Sequence, residues 1–139
     1  GSTSGIEADR IRLGDLNGDG RLDAVVTETN LGINGNALYW FAQPSNPSSA
    51  NWPRSTVVSN QGSLNSMDVA DLNGDGALDI VTGEHRGSLK VTVLENVGDA
   101  SSWLSHGISQ GTESHLGTQT LDLDGDGDLD VVSIARDNF

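Results

Sequence analysis

The sequence predicts an all-β protein made of repeated four-stranded antiparallel units, and three observations predict it. A carboxylate-rich string recurs as DLNGDGRLDAVV from Asp15, DLNGDGALDIVT from Asp71 and DLDGDGDLDVVS from Asp122, at spacings of 56 and 51 residues. Trp52 and Trp103 each stand 19 residues ahead of the next copy, so a second landmark keeps the same register. Between the landmarks, short runs rich in β-branched and aromatic residues alternate with Gly, Asn and Asp, and no window sustains helical spacing.

The elements follow in chain order. In the first unit DRIRL precedes the loop, LDAVVTE follows it, ALYWFAQ comes next, and STVVS closes the unit after the connection PSNPSSANWPR. The second unit repeats the order as SMDVAD, LDIVTGE, LKVTVLE and WLSHGIS. The third holds HLGTQTLD, its loop and LDVVSIAR. Four antiparallel strands repeated at this period are the signature of a β-propeller blade. The expected division is a single repeat region over residues 1–139, with blade 1 at about 6–60, blade 2 at about 61–111 and a half-blade at about 112–139. Two and a half blades fall short of the roughly 4–8 of closed propellers. The expectation is therefore an open stack, completed either by the remaining blades of a longer chain or by further copies in a homo-oligomer.

Composition narrows the partners. Twenty acidic residues against seven basic ones give a formal charge of −13, which repels phosphate backbones and makes nucleic acid an unexpected partner. Eleven of the acidic residues lie in the three loops. There is no cysteine, hence no disulfide and no thiolate metal site. No run reaches the ~18 apolar residues of a spanning helix, so membrane insertion is not expected.

The loops have the chemistry of a hard-cation site. Counting from the first aspartate, side-chain oxygens fall at positions 1, 3, 5 and 9: Asp15, Asn17, Asp19 and Asp23; Asp71, Asn73, Asp75 and Asp79; Asp122, Asp124, Asp126 and Asp130. A backbone carbonyl at position 7, from Arg21, Ala77 or Asp128, can add another oxygen. Gly20, Gly76 and Gly127 follow the third ligand, where a sharp turn calls for positive φ. An all-oxygen set rich in flexible carboxylates selects calcium over zinc, copper or magnesium, giving about three Ca2+ sites. The third loop carries Asp124 where the others carry asparagine, so the tightest binding is expected there. Leu16, Leu72 and Leu123 at position 2, and Leu22, Leu78 and Leu129 at position 8, are expected to pin the loops to the core. An EF-hand would need a bidentate Glu at position 12 and a following helix, whereas Val26, Thr82 and Ser133 stand there in β-branched runs. Dockerin-like loops fail for want of the same helix.

These three strings resemble the calcium-binding loops of the FG-GAP/VCBS repeat family, which occurs in integrin α-subunit propellers and in many bacterial secreted and surface proteins. The resemblance covers essentially the whole chain. It implies propeller blades with calcium bridging the first two strands of each. The Phe-Gly and Gly-Ala-Pro signatures of the integrin branch are not evident, so the bacterial branch is the closer match. The family mixes lectins, adhesins, lyases and propellers of other roles, so it does not by itself define an activity.

Catalytic signals are sparse. His85 stands beside Glu84 and Arg86 in GEHRG, and His106 and His115 flank the entry to the third unit. Such residues could do acid–base work or contact a ligand, but strand-end residues in local hydrogen bonds are the simpler reading. In YWF, Tyr39 and Phe41 share one face of a strand and Trp40 the other. Trp40 is thus either a sugar-stacking ligand contact or, more simply, core. No nucleophile-elbow or phosphate-loop motif is present. The expected function is a non-enzymatic, calcium-stabilised propeller segment of a secreted or cell-surface protein, of bacterial type, serving adhesion, glycan binding or assembly with a glycan or surface-protein partner. The alternatives are part of a polysaccharide lyase-like propeller enzyme and a self-assembling structural subunit.

Overall fold

The structure, a computed structural model, describes residues 8–28, 36–49, 51–86, 91–109 and 114–136. Among these residues every regular element is a strand. The order is β1 (Ala8–Gly14), β2 (Asp23–Glu28), β3 (Asn36–Phe41), β4 (Arg54–Gln61), β5 (Ser63–Ala70), β6 (Asp79–Arg86), β7 (Val91–Asn96), β8 (Trp103–Ser109), β9 (Ser114–Leu121) and β10 (Asp130–Arg136). All pairings are antiparallel between sequence neighbours, giving sheets β1-β2-β3-β4, β5-β6-β7-β8 and β9-β10. Each acidic loop joins the first two strands of its sheet. Propeller-like blades are therefore what the chain forms.

Register explains how the sheets stack. Directly opposed residues share a face, so the pairs Val25–Trp40 and Thr27–Leu38 lie on one face of the first sheet. Met67–Thr82, Val69–Ile80 and Ile80–Leu94 lie on one face of the second. These faces meet: Leu16, Val25, Leu38, Leu64, Met67, Ile80, Leu94 and Ala100 form one buried cluster, with Trp40, Val69 and Trp103 packed against it. The opposite face of the second sheet carries Ser66 and Gly83 towards β9. A Cβ on Gly83 would stand 2.7 Å from Thr118 Oγ1 and 2.9 Å from His115 Cβ, so only glycine permits this approach. Ser66 Oγ and Thr118 Oγ1 are 2.7 Å apart across the same contact.

Asp68, on the inner strand β5, ties all three sheets. Its Oδ1 accepts from Arg12 Nε at 3.3 Å, and its Oδ2 accepts from the N–H of Thr120 at 2.9 Å and its hydroxyl at 3.0 Å. Burial pushes this carboxyl up, but the hydrogen bonds from Thr120, Val69 and Arg12 outweigh it and hold it below the usual carboxylate range. A depressed folded pKa contributes stability above the unfolded value near ~3.9 and loses it as pH falls through the folded value. Asp68→Asn is expected to cost about 1–3 kcal/mol at pH 7, the range for losing charge-assisted bonds. Urea midpoints of variant and wild type should converge below the carboxylate range; a gap of constant size at every pH would contradict the assignment.

The expected pinning by leucine holds in part. Leu16 is 1% exposed, and Leu72 and Leu78 are half-buried, but Leu22, Leu123 and Leu129 are exposed. The reason is positional: Leu16 is covered by the second sheet, while Leu22 lies on the first sheet's open side and Leu123 on the third sheet's.

Candidate metal centre

Each loop folds around its first aspartate. Asp71 Oδ1 accepts from the N–H of Gly74 at 2.8 Å and of Asp75 at 3.2 Å, and Oδ2 accepts from Gly76 N–H at 2.9 Å. Asp122 repeats the set with Gly125, Asp126 and Gly127, and Asp15 accepts from Asp19 and Gly20. This winding needs left-handed backbone at position 6, where φ is 82° at Gly20, 90° at Gly76 and 98° at Gly127. Position 4 needs it too, at Gly18, Gly74 and Gly125, a requirement the spacing argument missed.

Asn17 Oδ1 and Asn73 Oδ1 accept from the N–H of position 5, and their amide groups donate to the carboxylates of Asp19 and Asp75. Asp19, Asp75 and Asp126 in turn accept from the N–H of position 7, at Arg21, Ala77 and Asp128. The Arg21 guanidinium additionally pairs with the Asp19 carboxylate and donates to Gln43 O at 2.9 Å. A cation in the first loop would compete with that guanidinium. Ala77 and Asp128 bring no such competitor.

The ninth aspartate has a structural role that spacing alone does not reveal. Asp79 is 1% exposed; its Oδ2 accepts from Leu72 N–H at 3.0 Å and its Oδ1 from Asn96 N–H at 2.9 Å. Asp23, fully buried, does the same with Leu16 and Gln43. The carboxylate thereby clips the loop's start to the end of the third strand. Burial raises the Asp79 carboxyl above its usual value; the two N–H bonds oppose this, and the charges of Asp75 and Asp71 add to it. Asp130 accepts from Leu123 N–H at 3.0 Å.

Asn96 is the residue sequence reasoning did not find. Fully buried, it donates through Nδ2 to Leu16 O of the first loop at 2.8 Å and to Leu78 O of the second at 3.2 Å. Its Oδ1 accepts from Ala100 N–H at 2.8 Å. Two adjacent loops thus share one amide, and a cleft of about 330 Å3 lies between them, lined by Asp15, Gly18, Asp75 and Ala77 among others. The only signal was an asparagine after an alternating strand, which is also what a plain turn shows.

The third loop brings carboxylates together most closely. One oxygen each of Asp122, Asp124 and Asp130 lie within 4.8 Å of one another, the one such trio of acidic or imidazole side chains among the described residues. In the other loops asparagine occupies the place of Asp124, so the same position offers an amide oxygen. Every side-chain donor in the three loops is oxygen, which fits a hard cation and not a soft one.

The remaining candidates are dispersed. Trp40 is half-buried, shares its face with Val25 and packs against the core. His115 is 6% exposed, with Nδ1 2.6 Å from Ser133 Oγ. His106 is exposed and lies 2.7 Å from Glu95. His85 sits near the end of β6, and the side chain of Arg86 lies outside the described residues.

Two stretches, residues 15–82 and 71–133, match the FG-GAP-like repeat. Each match begins on the first aspartate of a loop and ends within the strand that follows the next loop. The chain belongs to the FG-GAP-like repeat family. The comparison with curated proteins yields no match. Each FG-GAP match spans two acidic loops, and the two together take in all three. Among its described residues no helix is long and apolar enough to cross a membrane.

Proposed function

We propose that this FG-GAP repeat segment binds about three calcium ions, one in each acidic loop, and serves as a non-enzymatic adhesion or glycan-binding module outside the cell. The observation that carries the reading is the threefold loop, in which the same oxygen-bearing positions recur around left-handed glycines, with three carboxylates meeting in the third copy. Asp15, Asn17 and Asp19, with Arg21 O and Asp23, would hold the ion in the first loop. Asp71, Asn73, Asp75, Ala77 O and Asp79 would hold it in the second, and Asp122, Asp124, Asp126, Asp128 O and Asp130 in the third. The bound cation would cancel the mutual repulsion of these carboxylates and couple its binding energy to folding. An extracellular setting agrees with it, because extracellular modules bind calcium at ~10−4–10−3 M, concentrations the cytosol does not reach. FG-GAP repeats also occur in extracellular and surface proteins.

The loops are expected to differ. The third has the most carboxylates, and the first has one carboxylate already paired with Arg21, so affinity should fall from the third loop to the first. Calorimetric titration of Asp124→Asn should show the tightest site weakened by about tenfold, or ~1.4 kcal/mol, with the other sites unchanged. Identical isotherms for variant and wild type would defeat the assignment of Asp124 as a ligand.

A further inference from the structure

The first two loops share one hexapeptide, Asp-Leu-Asn-Gly-Asp-Gly, at residues 15–20 and 71–76, so a difference in reactivity between them comes from the fold. Each holds an asparagine followed by glycine, the pair in which the next backbone nitrogen can reach the side-chain amide carbon with no Cβ in its way. The two asparagines are held alike. Oδ1 of Asn17 and of Asn73 accepts from the N–H of position 5 at 3.1 and 3.0 Å, and Nδ2 donates to the carboxylate there at 3.1 and 3.0 Å.

The glycines differ. Gly74 N–H donates to Asp71 Oδ1 at 2.8 Å, and Gly125 N–H to Asp122 Oδ1 at 2.7 Å. Asp15 instead takes the N–H groups of Asp19 and Gly20, and among the described residues Gly18 N–H has no acceptor. Gly18 is exposed and lines the cleft between the first two loops, so water reaches it. A carboxylate bonded to an amide N–H keeps the proton in place, and that bond must break before the nitrogen can attack. Gly18 lacks this restraint. The charge around it differs as well: Arg21 pairs with Asp19 and offsets one carboxylate that would oppose loss of a proton, whereas Ala77 in the second loop offsets none.

We propose that Asn17 is a site of spontaneous deamidation, converted ahead of Asn73, which turns the first loop towards the carboxylate set of the third. The Gly18 nitrogen gives its proton to water or hydroxide and attacks Asn17 Cγ. The bond from this nitrogen to Cγ forms, the bond from Cγ to Nδ2 breaks, and Nδ2 takes a proton from solvent and leaves as ammonia. Water then opens the five-membered imide. Opening at Cγ leaves an aspartyl residue; opening at the backbone carbonyl carbon leaves an isoaspartyl link. Either product carries one more negative charge, and neither needs an oxidant or reductant. The aspartyl product gives the first loop the spacing of Asp122, Asp124 and Asp126, while the isoaspartyl link adds a backbone atom and breaks that spacing. The effect on calcium rests on the reading proposed above: the aspartyl form binds more tightly than the original, and the isoaspartyl form loses the site.

The test is peptide mapping by mass spectrometry of the folded protein, held in chelator and mildly alkaline buffer, with a sample in denaturant alongside. In denaturant Asn17 and Asn73 should convert at the same rate, because their neighbours are the same. Folded, Asn17 should convert roughly tenfold faster than Asn73, the factor by which one charge-assisted hydrogen bond holds the second back. Exposure alone favours the reverse order, since Asn73 is exposed and Asn17 half-buried. Equal rates in the folded protein, Asn73 ahead, or an Asn17 that stays intact while the denatured chain converts would each overturn the proposal. Asn34, which also precedes a glycine, lies outside the described residues, and Arg21 separates it from Asn17 in a tryptic map. Calorimetry of Asn17→Asp addresses the metal separately. A tighter first site supports the stated consequence and an unchanged one overturns it; no calcium binding in either protein overturns the metal reading while the order of conversion stands.

Discussion

Removing divalent cations with a chelator is expected to lower the melting temperature by roughly 25–30 °C. A ligand that binds only the folded state stabilises it by ~2.7 kcal/mol at a hundredfold excess over its dissociation constant. Three such sites contribute ~8 kcal/mol, and for a chain of this size each kcal/mol moves the midpoint by ~3–4 °C. The physical source is the loop itself. Asp15, Asp71 and Asp122 are held by two or three backbone N–H groups apiece, which fixes the loop conformation, and in the third loop Asp122, Asp124 and Asp130 are thereby brought within 4.8 Å of one another. Mutual repulsion of such carboxylates opposes folding, and on the proposed reading a bound ion would offset it. Calcium should restore the midpoint more fully than magnesium, which prefers to keep its waters and a stricter octahedron. A melting curve indifferent to chelator would show that the loops stabilise the blades through hydrogen bonds alone.

Asp79→Ala is expected to destabilise the protein by about 3–5 kcal/mol even in chelator. The change strands the N–H groups of Leu72 and Asn96, each costing ~1–3 kcal/mol when buried without a partner. It also frees Asn96, whose amide holds Leu16 O and Leu78 O, so the damage reaches the first loop from the second. Asp79→Asn should cost less, since its one carbonyl oxygen still accepts from one of the two. Asp130→Ala should cost less again, because among the described residues Asp130 accepts only from Leu123 N–H. Chemical denaturation in chelator separates this role from metal binding: the Asp79→Ala loss persists, while the effect of Asp124→Asn on stability disappears. Equal losses for both substitutions, present only with calcium, would reduce Asp79 to a ligand and nothing more.

The repeat made most of the fold legible. Spacing and β-branched runs located the ten strands of the described residues, because alternation and turn residues are local properties of the chain. The glycine at position 6 was readable for the same reason: only a left-handed residue lets the loop wind around its first aspartate. What was not readable depends on contacts between sheets. Leu22 and Leu16 look equivalent in the string, yet one is exposed and the other buried, because neighbouring sheets cover them differently. Asp23 and Asp79 read as ligands by their spacing, whereas their role as buried clips needs the N–H groups of Gln43 and Asn96, which stand at unequal distances along the chain. Asn96 itself donates to Leu16 O, 80 residues away in sequence, a pairing no local pattern announces.

The most direct test of calcium in the loops is a stoichiometry: protein stripped with chelator, dialysed, and titrated with calcium by calorimetry. Three equivalents bound per chain, with the tightest lost or weakened in Asp124→Asn, is the result expected here. Absence of calcium binding, in protein whose circular dichroism shows the β-sheets intact, would contradict it.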